Sequence, residues 1–295
     1  MQGFFYALSE RPASPSSESS ERGTVLLTMN QSDIYEQYPH EMLTFMLEGV
    51  NVMAYNNPGK GMSTGAADRE NINASIDAAY QYLKQRGIPD EKILAKGQCF
   101  GGAPTAWLSG KHPNINVMLD QNPANFHEVA MQRVNSVAEG LMAEDKGAFS
   151  KWTGKMLKDN FIINGLARAV LGGYDVPTDL AHNKGHKLLN INTPDERGQG
   201  GDMLVPKHHP EMMLDAMQDN PDKIVSLSMN PGAAHVTDWW AGYESQDTVL
   251  QFLSRTGLSE SLFETRSPDV SAPDVQTKGP QEGVQKQPTE AELQI

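Results

Sequence analysis

Seven residues, Lys96-Gly97-Gln98-Cys99-Phe100-Gly101-Gly102, constrain this chain more than any other stretch. They follow the apolar run Ile93-Leu94-Ala95 and read as a strand entering a tight turn and then a helix, with the only cysteine of the chain at the apex. The layout is that of a nucleophile elbow, G-x-nucleophile-x-G, with Cys where Ser is commoner. An elbow forces its apex residue into a strained backbone conformation so that the side chain projects above the sheet edge. The residues two before and two after the apex must then be small, because strand and helix nearly collide there. Gly97 and Gly101 meet that demand, and Gly102 relieves it further.

The flanking sequence supplies the sheet such an elbow needs. Thr24 to Met29 is a buried-strand pattern, followed by a polar loop and an apolar helical face at Met42, Phe45 and Met46 that Gly49 closes. Val50 to Tyr55 is the next strand, then a helix with Ile72, Ile76, Ala79, Tyr80 and Leu83 on one face, then the elbow strand. Strands alternating with helices imply a parallel sheet with crossover helices. Ile115 to Leu119 supplies another strand, after which the rhythm breaks into helix-like segments. It returns at Lys187 to Ile191 and Ile224 to Met229, with a helical stretch at Pro210 to Met217 between them and a last helix carrying Val249, Leu250, Phe252 and Leu253.

The expected fold class is therefore α/β, a mostly parallel central sheet flanked by helices, interrupted by a helical insertion. The expected organisation is an N-terminal edge strand and polar loop (1–22), a first core part (23–122), a helical cap (123–180), a second core part (181–265) and a disordered tail (266–295) poor in large apolar residues.

Composition narrows the function. A formal charge of −13 without a basic cluster argues against nucleic acid as the partner. One cysteine excludes an intrachain disulfide and a Cys-based zinc site and fits a reducing, cytoplasmic compartment. No run of apolar residues is long enough for a membrane span, and the N-terminus lacks the basic and apolar regions of a classical signal peptide. Export by a route without that signature stays open.

Ligands of an open parallel sheet bind outside the C-terminal ends of its strands. Cys99 follows the elbow strand; Asp195, Glu196 and Asp202 follow the strand at 187–191; His235 follows the strand at 224–229, behind Pro231-Gly232. Nucleophile, acid and base thus come in the chain order of the α/β-hydrolases, each after a strand. The resemblance extends to other stretches. Asn56-Asn57-Pro58-Gly59-Lys60-Gly61-Met62-Ser63-Thr64-Gly65 resembles the family's glycine-rich loop after an aromatic strand end. Asp202-Met203-Leu204-Val205-Pro206 resembles its D-x-x-V-P acid loop, and Gly232-Ala233-Ala234-His235 its G-x-x-H loop. Within the superfamily the elbow is most like the Cys-type elbow of dienelactone hydrolases. The overall layout resembles hydrolase-like proteins of chlamydia-type intracellular bacteria.

What the resemblance implies is a Cys99–His235–Asp202 triad, with Asp195 as the alternative acid. The oxyanion hole would use backbone N–H groups of Phe100 and of Met29 or Asn30. The implied substrate is a small acyl compound or a peptide, with no cofactor. The family's usual His-Gly pair after the first strand is replaced by Met29-Asn30. That departure keeps a second reading in view: a hydrolase-fold binding or effector protein without catalysis, with a protein partner. Two features are read as structural: the Gly59/Gly61/Gly65 loop lacks the Gly-Lys-Ser/Thr of a phosphate loop, and His208-His209 has no second ligand set spaced for a metal. A cofactor-binding doublet fold would need a dinucleotide fingerprint after the first strand, which Met29-Asn30-Gln31 does not provide.

Overall fold

A computed structural model describes residues 3–6, 22–30, 33–143, 146–158, 173–194, 197–199, 201–202, 205, 208–217, 223, 225–232, 239–241 and 243–259. The chain divides into two units, Met1–Ser261 and Leu262–Ile295. The second unit, which holds the tail expected from residue 266, lies outside the described residues.

In chain order the elements are β1 (Gly3–Tyr6), β2 (Thr24–Thr28), α1 (Pro39–Leu47), β3 (Asn51–Tyr55), α2 (Arg69–Gln85), β4 (Ile93–Gln98), α3 (Gly102–Lys111) and β5 (Asn116–Asp120). Then come α4 (Phe126–Met142), α5 (Ala148–Lys158), α6 (Val176–His182), β6 (Lys187–Thr193), α7 (His208–Met217), β7 (Val225–Pro231) and α8 (Tyr243–Arg255). Local chemistry sets many of these boundaries. Pro39 opens α1, and Gly49 ends it in the left-handed region at φ +77°. The Asp68 carboxylate caps α2 by accepting from the Asn71 N–H at 2.9 Å.

The strands form one sheet in the order β1-β3-β2-β4-β5-β6-β7. β1 is antiparallel to β3 at one edge; every other pairing is parallel. The chain runs outward from β2 to β3, then returns past β2 to lay β4 on its other side. β2 and β4 are thus neighbours, in register at Thr28↔Gly97, and the loops leaving them diverge at the reversal of strand order. Such a switch point is where open α/β sheets make their ligand crevices.

Alternate residues of each strand serve opposite faces. Val25 and Leu27 join Phe45 of α1, Trp239, and Val249, Phe252 and Leu253 of α8 in one apolar cluster. Leu26 faces the other way, with Ile76, Ala79 and Leu83 of α2. Toward β6 that second face carries Ala103 and Ala106 of α3 against Val176 and Leu180 of α6. The helical stretch between β5 and β6 therefore contains α4 and α5, packed on each other, and α6, packed on α3. β7 differs from the fully buried β2, β3, β4 and β5. Val225, Leu227 and Met229 are 38%, 39% and 48% exposed, whereas Ser228 and Asn230 are buried. No described helix is long and apolar enough to cross a membrane.

Candidate active site

Cys99 leaves β4 at φ +48°, in the left-handed region that costs a non-glycine residue about 1–3 kcal/mol. A one-turn 3₁₀ segment, Cys99–Gly101, then delivers the chain into α3. The surroundings explain how this strain is held. A Cβ on Gly97 would sit 2.5 Å from the Gly101 carbonyl oxygen and 2.6 Å from the Gly102 Cα. A Cβ on Gly101 would run into the Thr28 carbonyl and stand 2.6 Å from that of Met29. Only glycine fits at either place, so strand, turn and helix close on one another with Cys99 at the tip. The Thr105 hydroxyl donates to the Gly101 carbonyl at 2.8 Å, and the Asn122 side-chain amide donates to the Cys99 carbonyl. Cys99 is half-buried, and Phe100 beside it is buried. Because Met29 packs its carbonyl on Gly101, the loop that leaves β2 with Met29 and Asn30 lies against the elbow.

Beneath the turn lies a charge that periodicity alone would not place there. Lys96 of β4 is fully buried, its ammonium 2.7 Å from Glu41 Oε1 of α1 and 3.1 Å from Asp120 Oδ2 at the end of β5. Burial opposes its charge, but the two carboxylates outweigh it and hold its pKa above the ordinary lysine value. The Trp239 indole N–H also donates to Glu41 Oε1, at 2.7 Å. From Asp120 the polar contacts continue across the sheet. Asn190 donates to Asp120 Oδ1 at 2.6 Å, and Asn230 donates to Asn190 Oδ1 at 3.2 Å and Asn192 Oδ1 at 2.9 Å. A buried polar row therefore spans β4 to β7 just below the strand ends. The signal was legible in principle, since Lys in a doubly covered parallel strand demands partners.

On the far side, Asp202 is held at the end of β6. Its N–H donates to the Asn192 carbonyl at 3.1 Å, and its Oδ1 accepts from the Val205 N–H at 2.9 Å. The first bond folds the loop back on the strand; the second fixes the carboxylate. β6 lies two strands from β4, roughly 10 Å at the usual inter-strand spacing. The Gly232 N–H still pairs with the Thr193 carbonyl at 2.7 Å where the chain leaves β7 toward His235. His235 and the alternative acid Asp195 lie outside the described residues. The structure thus brings Phe100 and Met29 to the elbow of Cys99 and puts Asp202 beyond β5.

The loop after β3 is a turn, as read. Gly59, Gly61 and Gly65 all have positive φ, and Lys60 and Ser63 donate backbone bonds to Asn57 and Lys60. A cavity of about 450 Å³ opens elsewhere, between Asn125 and His127 at the start of α4, Tyr174 and Asp175 before α6, and Met212 of α7; Cys99 and Asp202 do not line it. Sequence reading missed Glu128, which the fold sets beside His208.

Comparison with solved structures decides the fold. An esterase of Pyrococcus furiosus superposes on 79% of this chain and 81% of its own at a TM-score of 0.57, with 18% identity. The chain has the α/β-hydrolase fold. No family model matches it. Among curated proteins, an uncharacterized protein of Caenorhabditis elegans is 40% identical over 88 residues, 29% of this chain and 18% of that protein. The alpha/beta hydrolase domain-containing protein 17C of Mus musculus is 37% identical over 70 residues, 23% of this chain and 22% of the mouse protein. The matches thus span about a fifth of the length of these relatives, both animal proteins. On this α/β-hydrolase fold, Cys99 after β4 and Asp202 after β6 both lie at the C-terminal edge of the sheet.

Proposed function

We propose that this chain is a hydrolase or acyl transferase that attacks an ester, thioester, lactone or amide carbonyl with Cys99. The observation that carries this reading is the backbone of Cys99, held at φ +48° between two glycines that no other residue could replace. A buried structural cysteine needs no such strain. The name of the Pyrococcus neighbour, an esterase, supports the acyl class.

In the proposed reaction His235 takes the thiol proton as Cys99 Sγ bonds to the carbonyl carbon. The oxyanion accepts hydrogen bonds from the backbone N–H of Phe100 and of Met29 or Asn30. As the tetrahedral species collapses, the bond to the leaving group breaks and His235 returns the proton to it, leaving a thioester on Cys99. Water or an acceptor nucleophile, deprotonated by His235, then attacks that thioester and regenerates the thiol. Asp202 orients the imidazole and stabilises its charged form. The bond to its Oδ1 from Val205 gives the carboxylate a fixed direction. A reducing compartment such as the cytoplasm keeps the Cys99 thiol available.

The test is a panel of acyl esters and thioesters with intact-mass detection of the acyl-enzyme. Wild type is expected to gain one acyl group, and Cys99→Ala to lose both adduct and turnover, by about 10³-fold or more. Turnover that survives Cys99→Ala would sink the proposal. The replacement of His-Gly by Met29-Asn30 favours one further reading, a binding or effector protein without catalysis. Iodoacetamide separates the two. Alkylation of Cys99 that is fast, and slowed by His235→Ala, belongs to the enzyme; alkylation at the rate of an ordinary thiol belongs to the binding protein.

A further inference from the structure

Away from the elbow, three side chains converge where α4 and α7 begin. Glu128 is in the first turn of α4, its backbone N–H bonded to the capping Asn125 Oδ1 at 3.1 Å. His208 and His209 open α7. His208 Nε2 stands 2.7 Å from Glu128 Oε1, and one ligand atom from each of the three residues lies within 4.8 Å of the others. An ion pair between His208 and Glu128 would account for two of them. It does not account for His209, which is completely buried with no hydrogen-bond partner for either ring nitrogen among the described residues. A buried imidazole without a partner costs about 1–3 kcal/mol, so a native site that keeps one calls for an occupant.

We infer that Glu128, His208 and His209 form a binding site for a zinc-class divalent cation, tying the start of α4 to the start of α7. Two imidazole nitrogens and one carboxylate oxygen are a borderline donor set, suited to zinc or cobalt and not to calcium or magnesium, which take all-oxygen shells. Tetrahedral bonds of about 2.0–2.1 Å place ligand atoms roughly 3.3–3.5 Å apart, so Glu128 and His208 must separate slightly to admit the ion. Both are nearly half exposed, at 46% and 47%, and can shift. His209, completely buried, supplies a fixed nitrogen. Water would complete the shell. α4 follows β5 directly, and α7 begins six residues after Asp202. The ion therefore joins the exit of the acid loop to the entry of the helical insertion.

The experiment uses the full chain, stripped of metal with a chelator and dialysed, then titrated with Zn²⁺ and, separately, with Co²⁺. One equivalent of zinc should bind and raise the melting temperature. Glu128→Gln and His208→Ala, both at exposed positions that leave the core intact, should each weaken binding about tenfold or more, because even outer-shell losses cost 10–100-fold. His209→Ala should abolish binding. The Co²⁺ form should show the visible bands of a nitrogen- and oxygen-ligated ion. A zinc affinity unchanged in Glu128→Gln and His208→Ala, or no zinc-dependent rise in melting temperature, would overturn the assignment. So would a thiolate-to-cobalt charge-transfer band, which would put the metal on Cys99.

Discussion

The two halves of the C-terminal sheet edge are built by different means. At β2 and β4 the backbone itself is the constraint: Gly97 and Gly101 stand where any Cβ would meet main-chain atoms, and Lys96 below them is locked between two buried carboxylates. At β6 and β7 side chains do the holding. Asn230 ties the strands through Asn190 and Asn192, Asp202 is fixed by its own turn, and β7 turns its apolar residues outward. The contrast teaches where variation can be tolerated. A turn set by backbone collision has one solution, whereas a loop set by exchangeable hydrogen bonds has several.

The largest expected effect tests that asymmetry. Gly101→Val thrusts a side chain into the carbonyls of Thr28 and Met29, with no flexible group to yield. It should cost more than about 4 kcal/mol and abolish the cooperative urea transition or soluble expression. On the opposite side Gly198, at φ +73°, has nothing within 4 Å of a new Cβ, so Gly198→Ala should cost only about 1 kcal/mol from backbone strain. Equal losses from the two would break the comparison.

Next comes the buried charge. Lys96→Met leaves Glu41 and Asp120 buried without their cation and should lose about 3–5 kcal/mol in urea unfolding at neutral pH. Adding Glu41→Gln and Asp120→Asn to the same chain should restore most of it, since neutral amides need no counter-ion. A Lys96→Met protein as stable as wild type would mean that the network is neutral to the fold.

Smaller still is Asn230→Ala, which removes two side-chain bonds between β7 and β6 and should cost about 1–2 kcal/mol. Hydrogen exchange sharpens the reading. The Gly232 amide, paired to Thr193, should lose protection while the amides of β4 keep theirs; uniform loss along the sheet would contradict a locally held edge.

The least effect lies at Asp179 of α6, on the side of the sheet that carries the elbow helix. Burial, then the neighbouring Asp175 charge, pushes its pKa from 3.8 up to about 6. The folded state therefore binds the proton more tightly than the unfolded chain, so stability is greatest below about pH 4 and falls as pH rises to about 6. Asp179→Asn should raise the melting temperature slightly at pH 7.5 and not at pH 4. Asp179 is only partly buried, which keeps the gain under about 1 kcal/mol. A gain at pH 4 as large as at pH 7.5 would reverse the sign worked out here.

Much of this architecture could be read from residue order. Strand runs such as Val25-Leu26-Leu27 and Ile93-Leu94-Ala95 are short, apolar and bounded by turn residues, so their type and parallel arrangement follow from periodicity. The elbow was legible because its requirement is local: small residues two positions either side of the apex. Other features depend on residues distant in sequence. Glu41 and Asp120 meet Lys96 from separate elements, and Glu128 reaches His208 across 80 positions. The outward apolar face of β7 depends on which elements pack on that strand, and neither this nor strand order is a property of any one segment.

By itself, then, the sequence determined the alternation of strands and helices and the position of Cys99 at a glycine-flanked turn, because both are set by backbone sterics over a few residues. Only the tertiary structure decided the order of strands, the buried row from Glu41 to Asn230 and the meeting of Glu128 with the histidines of α7. Those depend on burial, which removes water as the alternative partner and so obliges distant polar groups to find one another.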